Sequence, residues 1–276
     1  MSFDKFHLEC DDGICSIVSR YLHRYHTIDQ NFINSLKRNY LWFSDPLDFN
    51  DPYDCNLDFD FENTPEEIEG FAREINETPE NVYRKMNEIQ LQNRVNQLIE
   101  NPEIFHQAQK DNNLEMIKEI GICCFSENDD MLLMWSHYGD KHKGVCLTFD
   151  ANIDQSLFMI YPYCVEYPKK FPIYNWIRDK GTFKVRRFEF ATKSSEWSYE
   201  NEVRIIKDHR YPPYRGEVKF DKNALVSVKF GYKTSLVDQL KVRDTLSQTG
   251  GYEHVKFYLA KLKRLDFGIE YEEIFI

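Results

Sequence analysis

The chain contains no run approaching the roughly 18 apolar residues that cross a bilayer. Its first residues, MSFDKFHLECDDGICS, lack the basic and apolar regions of a secretory signal. No membrane association is expected, and a cytoplasmic location is. Seven cysteines, at 10, 15, 55, 123, 124, 146 and 164, are odd in number and show no CxxC spacing, so neither a disulfide framework nor a zinc site is signalled. Cys123, Cys124 and Cys146 lie in apolar runs and read as buried, reduced thiols. GxGxxG, the P-loop, HExxH and GxSxG are absent too, which removes motif support for nucleotide-driven phosphoryl transfer, zinc proteolysis and α/β-hydrolase chemistry. His137 and His142 straddle Gly139 at a spacing unlike that of a helical ligand pair, and no metal is expected.

What is present describes a folded protein. A length of 276 residues can bury a core, and 17 Tyr with 21 Phe argue against disorder. The net charge of −11 disfavours general polyanion binding, but its distribution is uneven. From Asp54 to Glu80 there are ten acidic residues and one basic, whereas from Lys169 to Arg215 there are twelve basic and six acidic. Most of these charges read as solvated faces, although the second region would suit a phosphate-bearing ligand, or a protein or nucleic-acid acceptor, better than the first.

The densest run of unusual residues is Ile122 to Phe149, ICCFSENDDMLLMWSHYGDKHKGVCLTF. Its apolar ends, Ile122–Phe125 and Val145–Phe149, predict buried strands. Between them Met131, Met134, Trp135 and Tyr138 follow helical spacing, with Asp129 or Asp130 as N-cap and a stop at Gly139. Ser126, Glu127 and His137 fall off that apolar face and mark a pocket edge. Earlier, YLHRYHT predicts a strand that places Arg24 and Tyr25 on opposite faces. A helix follows over about Asp29–Arg38. Leu41–Asp54 then reads as a strand followed by two Asp-Pro turns, with a binding role open to Ser44, Asn50 and Asp51.

From residue 62 to 120 the composition turns helical. Thr64-Pro65-Glu66, Thr78-Pro79-Glu80 and Asn101-Pro102-Glu103 each pair a capping residue with Pro at the first helical position and acid in the first turn. This segment separates two strands and predicts a helical insertion within one domain spanning residues 1–276. Downstream come a loop-rich aromatic segment at Tyr161–Trp176 and a helix at about Thr182–Ala191. In TKSSEWSYENEVRIIK, a strand over Trp197–Ile206 would put Glu200, Glu202 and Arg204 on one face, with Arg204 and Lys193 as counter-ions. A strand at Leu225–Phe230, a helix at about Thr234–Leu246, and strands at His254–Leu262 and near Ile269 complete the chain. The expectation is an α+β fold with a central mixed or antiparallel sheet.

Taken together, FSDPLDFNDPYD, CCFSENDDMLLMWSHYGDKHKGVCLTF and EWSYENEVRII, with Arg24-Tyr25 before them, resemble a widespread bacterial family of unknown function, domain family 2971. That resemblance covers about Tyr21 to Ile206 and implies no activity. The chain is also similar to ADP-ribosyltransferases of the R-S-E kind. This similarity implies NAD as substrate, Arg24 on a phosphate or ribose, Ser126 (or Ser44) on the central strand, and Glu200-Asn201-Glu202 as the E-x-E. It further implies Glu202 stabilising an oxocarbenium-like state, Glu200 orienting or deprotonating the acceptor, and Trp135 or Tyr138 stacking on nicotinamide. Stress response or phage conflict would suit such chemistry. Two other readings stay open: hydrolysis of a nucleotide or phosphodiester, with His137 as acid or base and Glu127 as its partner, and nucleotide sensing without turnover.

Overall fold

The computed structural model describes residues 5–8, 16–56, 58–60, 62–78, 85–159, 162–175, 177–179 and 189–276. Eight strands form the main sheet, which is mixed because one neighbouring pair is parallel. In spatial order they are β14 (Ile269–Ile274), β13 (Lys256–Leu262), β12 (Leu225–Phe230), β7 (Val145–Asp150), β3 (Tyr21–His26), β6 (Ile120–Ser126), β10 (Glu202–Asp208) and β8 (Pro162–Cys164). Three two-stranded sheets accompany it: β1 (Lys5–Leu8) with β2 (Ser16–Ser19), β4 (Tyr40–Phe43) with β11 (Gly216–Lys219), and β5 (Asp58–Asp60) with β9 (Ile173–Asn175). The α+β class expected from the sequence is the class found. The helix expected at Thr182–Ala191 falls largely on residues 181–188, outside the described residues, as do Trp176, Pro79 and Glu80.

Both faces of the sheet are covered, which explains why all six residues of β7 and all seven of β10 are buried. On one face α1 (Gln30–Arg38) presents Phe32, Ile33 and Leu36, and α6 (Leu236–Thr249) presents Val242 and Leu246, against Leu22, Cys123, Phe125, Val203 and Ile205. Asp29 caps α1 by accepting from the Phe32 N–H at 2.8 Å. On the other face lie α5 (Leu132–His137), through Met134 and Trp135, and the end of α4 (Pro102–Lys118), through Ile117.

Helices α2 (Pro65–Glu77), α3 (Glu88–Glu100) and α4 follow β5 and precede β6, as the composition of residues 62–120 predicts. Thr64 and Glu67 form a capping box at α2. The corresponding box at α3 uses Asn87 and Gln90, a start the sequence signals did not include; Thr78 ends α2, and the start expected at Thr78-Pro79-Glu80 runs into residues 79–84, outside the described residues. Asn101 precedes α4 without a side-chain cap bond. Among the described residues no helix is long and apolar enough to cross a membrane.

One irregularity shapes the molecule. β3 pairs with β6 only at His23–Ser126, and beyond that point the two strands separate. At its other end β6 bonds instead to the residue following β4, through reciprocal Ser44 and Ile122 backbone bonds of 2.9 and 3.0 Å. The sheet therefore forks at β6. Arg24 fills the fork, donating to Cys123 Sγ and, at 3.4 Å, to the Trp42 carbonyl, with its guanidinium 5.8 Å from the Phe125 ring centre.

Candidate functional site

A cleft of about 230 Å³ opens at the fork. Strand alternation delivers Tyr25 from β3 and Cys124, Ser126 and Glu202 from β6 and β10, while the separation of β3 from β6 lets Arg24 and Phe125 reach it from the opposite face. Tyr138, the residue following α5, and Asn50, from the Asp-Pro loop, complete the set of sequence-expected residues in the lining. Arg24, Tyr25, Asn50, Ser126, Tyr138, Glu200 and Glu202 thus meet in one cleft.

The E-x-E segment departs from a plain strand. Ser195–Glu200 is a 3-10 turn capped by Ser194, Asn201 adopts φ 41°, and β10 starts only at Glu202. The left-handed Asn201 breaks the alternation, so Glu200 and Glu202 are not strand neighbours on one face. Glu200 instead accepts from Tyr138 Oη at 2.6 Å and from Lys193 Nζ at 2.6 Å. The ammonium also lies 3.5 Å from Glu202 and 3.7 Å from Asp54, so three carboxylates surround it. The second prediction for this segment holds: Glu202 and Arg204 share a face of β10, with Nε–Oε1 and Nη2–Oε2 bonds of 2.8 and 3.0 Å.

Beneath the cleft Arg204 is fully buried and also holds Asp54 through two bonds of 2.7 Å. Burial alone would raise the Glu202 carboxyl, but the Arg204 guanidinium, reinforced by Lys193, reverses this and holds it at about 2. Glu200 moves the other way: burial lifts it above its ordinary value despite Lys193 and Tyr138. Burial would likewise lower Lys193, but Glu202 and Glu200 raise it, so it remains an ammonium rather than a nucleophile. Two carboxyl groups of opposite proton preference at one cleft can serve as a fixed anion and a proton carrier.

Other expected site residues occupy structural positions. Trp135 is 0% exposed, its indole N–H donating to the Asp129 carbonyl at 3.0 Å and to Tyr271 Oη at 3.2 Å, so it cannot stack on a ligand. Glu127 ties the chain together by accepting from the Ser19 backbone N–H at 2.8 Å and Asn201 Nδ2 at 3.2 Å. His137, at the exposed end of α5, does not line the cleft, and neither does Ser44, whose backbone joins the fork. Arg204 lies under the floor rather than in the lining. Asp129 does not cap α5, which follows Met131 without a side-chain cap bond; its carboxylate pairs with Lys229.

His23, Asp54, Lys193 and Cys124 enlarge the predicted set. His23 sits on the face of β3 opposite Arg24, bonds to Thr148 Oγ1 at 3.1 Å, and is lowered by burial to about 4, hence neutral. Burial, then the Glu202 charge, raise the Cys124 thiol well above its ordinary value. Asp54 ends the FNDPYD block, and the unusual density of carboxylates there was the available signal. In the basic region, Arg178, Lys193, Arg204, Arg210 and Arg215 all meet carboxylates of this chain. Among the described residues, no three His, Cys, Asp or Glu side chains gather as a metal-binding group.

No curated protein and no solved structure matches the chain. A family model described as "Protein of unknown function (DUF2971)" matches residues 134–205, from the central helix through the Glu-x-Glu turn, and this supports the family resemblance over those residues; the earlier blocks lie outside the match.

Proposed function

We propose that the forked cleft is an ADP-ribosyltransferase-like site that cleaves the nicotinamide–ribose bond of NAD or a closely related nucleotide. The observation that carries this reading is the meeting of Arg24, Ser126, Glu200 and Glu202, with the two carboxyl groups shifted in opposite directions. When the C–N bond breaks, nicotinamide leaves with the electron pair and positive charge develops on the ribose. Glu202, kept anionic and held in one orientation by Arg204, stabilises that charge. Glu200, with its raised proton affinity, accepts a proton from the attacking hydroxyl, amine or water. Tyr138 fixes Glu200 and supplies a ring at the cleft wall.

Size supports a dinucleotide only if the ligand extends beyond the cleft, because about 230 Å³ falls below the roughly 300–1,000 Å³ of sites for drug-sized ligands. A neighbouring cavity of about 630 Å³ shares Arg24, Tyr25 and Tyr138 with the cleft and adds polar side chains from α1, including Asn31, Asn34 and Arg38. Arg24, at the junction, is the cation for the phosphate groups. The hydrolase reading built on His137 and Glu127 lacks this geometric support, since neither residue lines the cleft.

Incubation with NAD tests the reading. Glu202→Gln should lower nicotinamide release by roughly 10²–10³-fold, the scale of one lost electrostatic stabiliser, while calorimetry shows NAD still bound. Equal release from both proteins would remove Glu202 from the mechanism. Saturable NAD binding with no released nicotinamide would favour a nucleotide sensor instead.

A further inference from the structure

Beside the cleft lies a second cavity of about 820 Å³, between the Asp-Pro loop that follows β4 and one face of α4. Phe49 and Asp54 line both spaces and form the partition between them. Arg24, Ser126 and Tyr138 are absent from the second lining, so its ligand chemistry is independent of the nucleotide reading. Its volume falls within the range of small-molecule sites.

Two side chains in this lining are incompletely bonded. Asp51 and Asn113 are 5% and 7% exposed, and Asp51 Oδ2 and Asn113 Oδ1 have no hydrogen-bond partner among the described residues. Asp51 cannot turn its free oxygen away cheaply, because Oδ1 already accepts from the Tyr53 backbone N–H at 2.9 Å. Buried acceptors without donors are costly, and both oxygens are acceptors that an N–H-bearing ligand would satisfy. The charge balance has the same sense. Asp54 is matched by Arg204, which leaves Asp51, Asp58 and the exposed Lys110 as the remaining charged residues of the lining. An anionic ligand would meet net negative charge, and a purely apolar one would leave the acceptors unpaired.

Aromatic rings complete the arrangement. Tyr53 and Phe171 have ring centres 5.6 Å apart and remain 61% and 37% exposed. Such rings attract cations at their faces, and a guanidinium adds planar stacking and several N–H donors in a fixed fork. We propose that this cavity is a second ligand site that takes a small organic cation of the guanidinium class, with N–H groups on Asp51 and Asn113 and its plane against one of the two tilted rings, Tyr53 or Phe171.

Titration of agmatine into the full chain by isothermal calorimetry tests the proposal. Saturable binding to wild type is expected, weakened at least about tenfold, or about 1.4 kcal/mol, by Asp51→Asn. Asn113→Leu should also weaken it, and keeps the test open if Asp51→Asn fails to fold, as checked by circular dichroism. Arg24→Ala, outside this lining, should leave agmatine affinity unchanged. No binding to wild type, or binding that survives both Asp51→Asn and Asn113→Leu, would overturn the site. Butylurea bound as tightly as agmatine would overturn the cationic class.

Discussion

Arg204 offers five N–H groups, and each finds an acceptor in a space with no solvent access: Glu202, Asp54 and the Phe190 carbonyl. A buried ion network of this kind tolerates the loss of a member poorly, because the remaining charges stay buried without compensation. Arg204→Met should therefore destabilise the fold by about 3–5 kcal/mol in denaturant unfolding. Arg204→Lys should fall well short of wild type, since an ammonium cannot reproduce two paired contacts. Acid should attack the same region in two stages. Neutral His23, buried with a value near 4 against an ordinary 6.5, contributes stability that is lost as pH falls through that window. Glu202, near 2 against an ordinary 4.5, contributes stability present above 4.5 and lost towards 2. Glu200 acts in the opposite sense, since protonation favours its folded form. Urea midpoints measured against pH should show His23→Gln reducing the loss between about 6.5 and 4, and Glu202→Gln reducing it below about 4.5.

At the scale of elements, the connection from α5 to β7 is a left-handed turn in which Asp140, Lys141 and His142 all have positive φ, at 47, 55 and 70°. Successive non-glycine residues in that region store strain. The turn is held by the His142 N–H on the Trp135 carbonyl at 3.1 Å and the Gly144 N–H on the Gly139 carbonyl at 2.9 Å. Gly144 permits the close return to β3, because a Cβ there would lie 2.1 Å from the His26 backbone oxygen. Backbone cannot swing aside as a side chain can. Gly144→Ala should cost roughly 1–3 kcal/mol, as overpacking does, measured as a lower unfolding midpoint with an unchanged denaturant slope. Much of this element pattern was legible beforehand. The period-3.6 run at Met131–Tyr138 and the apolar runs around it correspond to β6, α5 and β7, and the predicted Leu225–Phe230 strand is β12. Elements fixed by context were less visible, including the 3-10 turn before β10 and the short pairing strands β5, β8, β9 and β11, whose residues carry little periodicity of their own.

For the molecule as a whole, an eight-stranded open sheet has two edges to protect from pairing with another copy. The β8 edge is three residues long and begins with Pro162, which cannot donate to a ladder. The β14 edge is longer and carries Glu270, Glu272 and Glu273 exposed along it, with Lys256 and Lys261 of β13 as partners for Glu273 and Glu272. Replacing Glu270 and Glu272 together by Val should promote association through that edge, seen as concentration-dependent early elution in size-exclusion chromatography.

Local order, therefore, was set by the sequence itself: the caps of α1 and α2, the apolar face of α5, and which residues alternate on β3 and β6. These follow from propensity, capping and periodicity, which act over a few residues. Tertiary structure alone decided that β3 and β6 part after His23 and Ser126, that Trp135 and Glu127 are consumed by structural contacts, and that Asp54 joins Lys193 and Arg204 around Glu202. Those partners lie far apart in the chain, and whether a polar side chain faces a cleft or a counter-ion depends on what the fold brings opposite it.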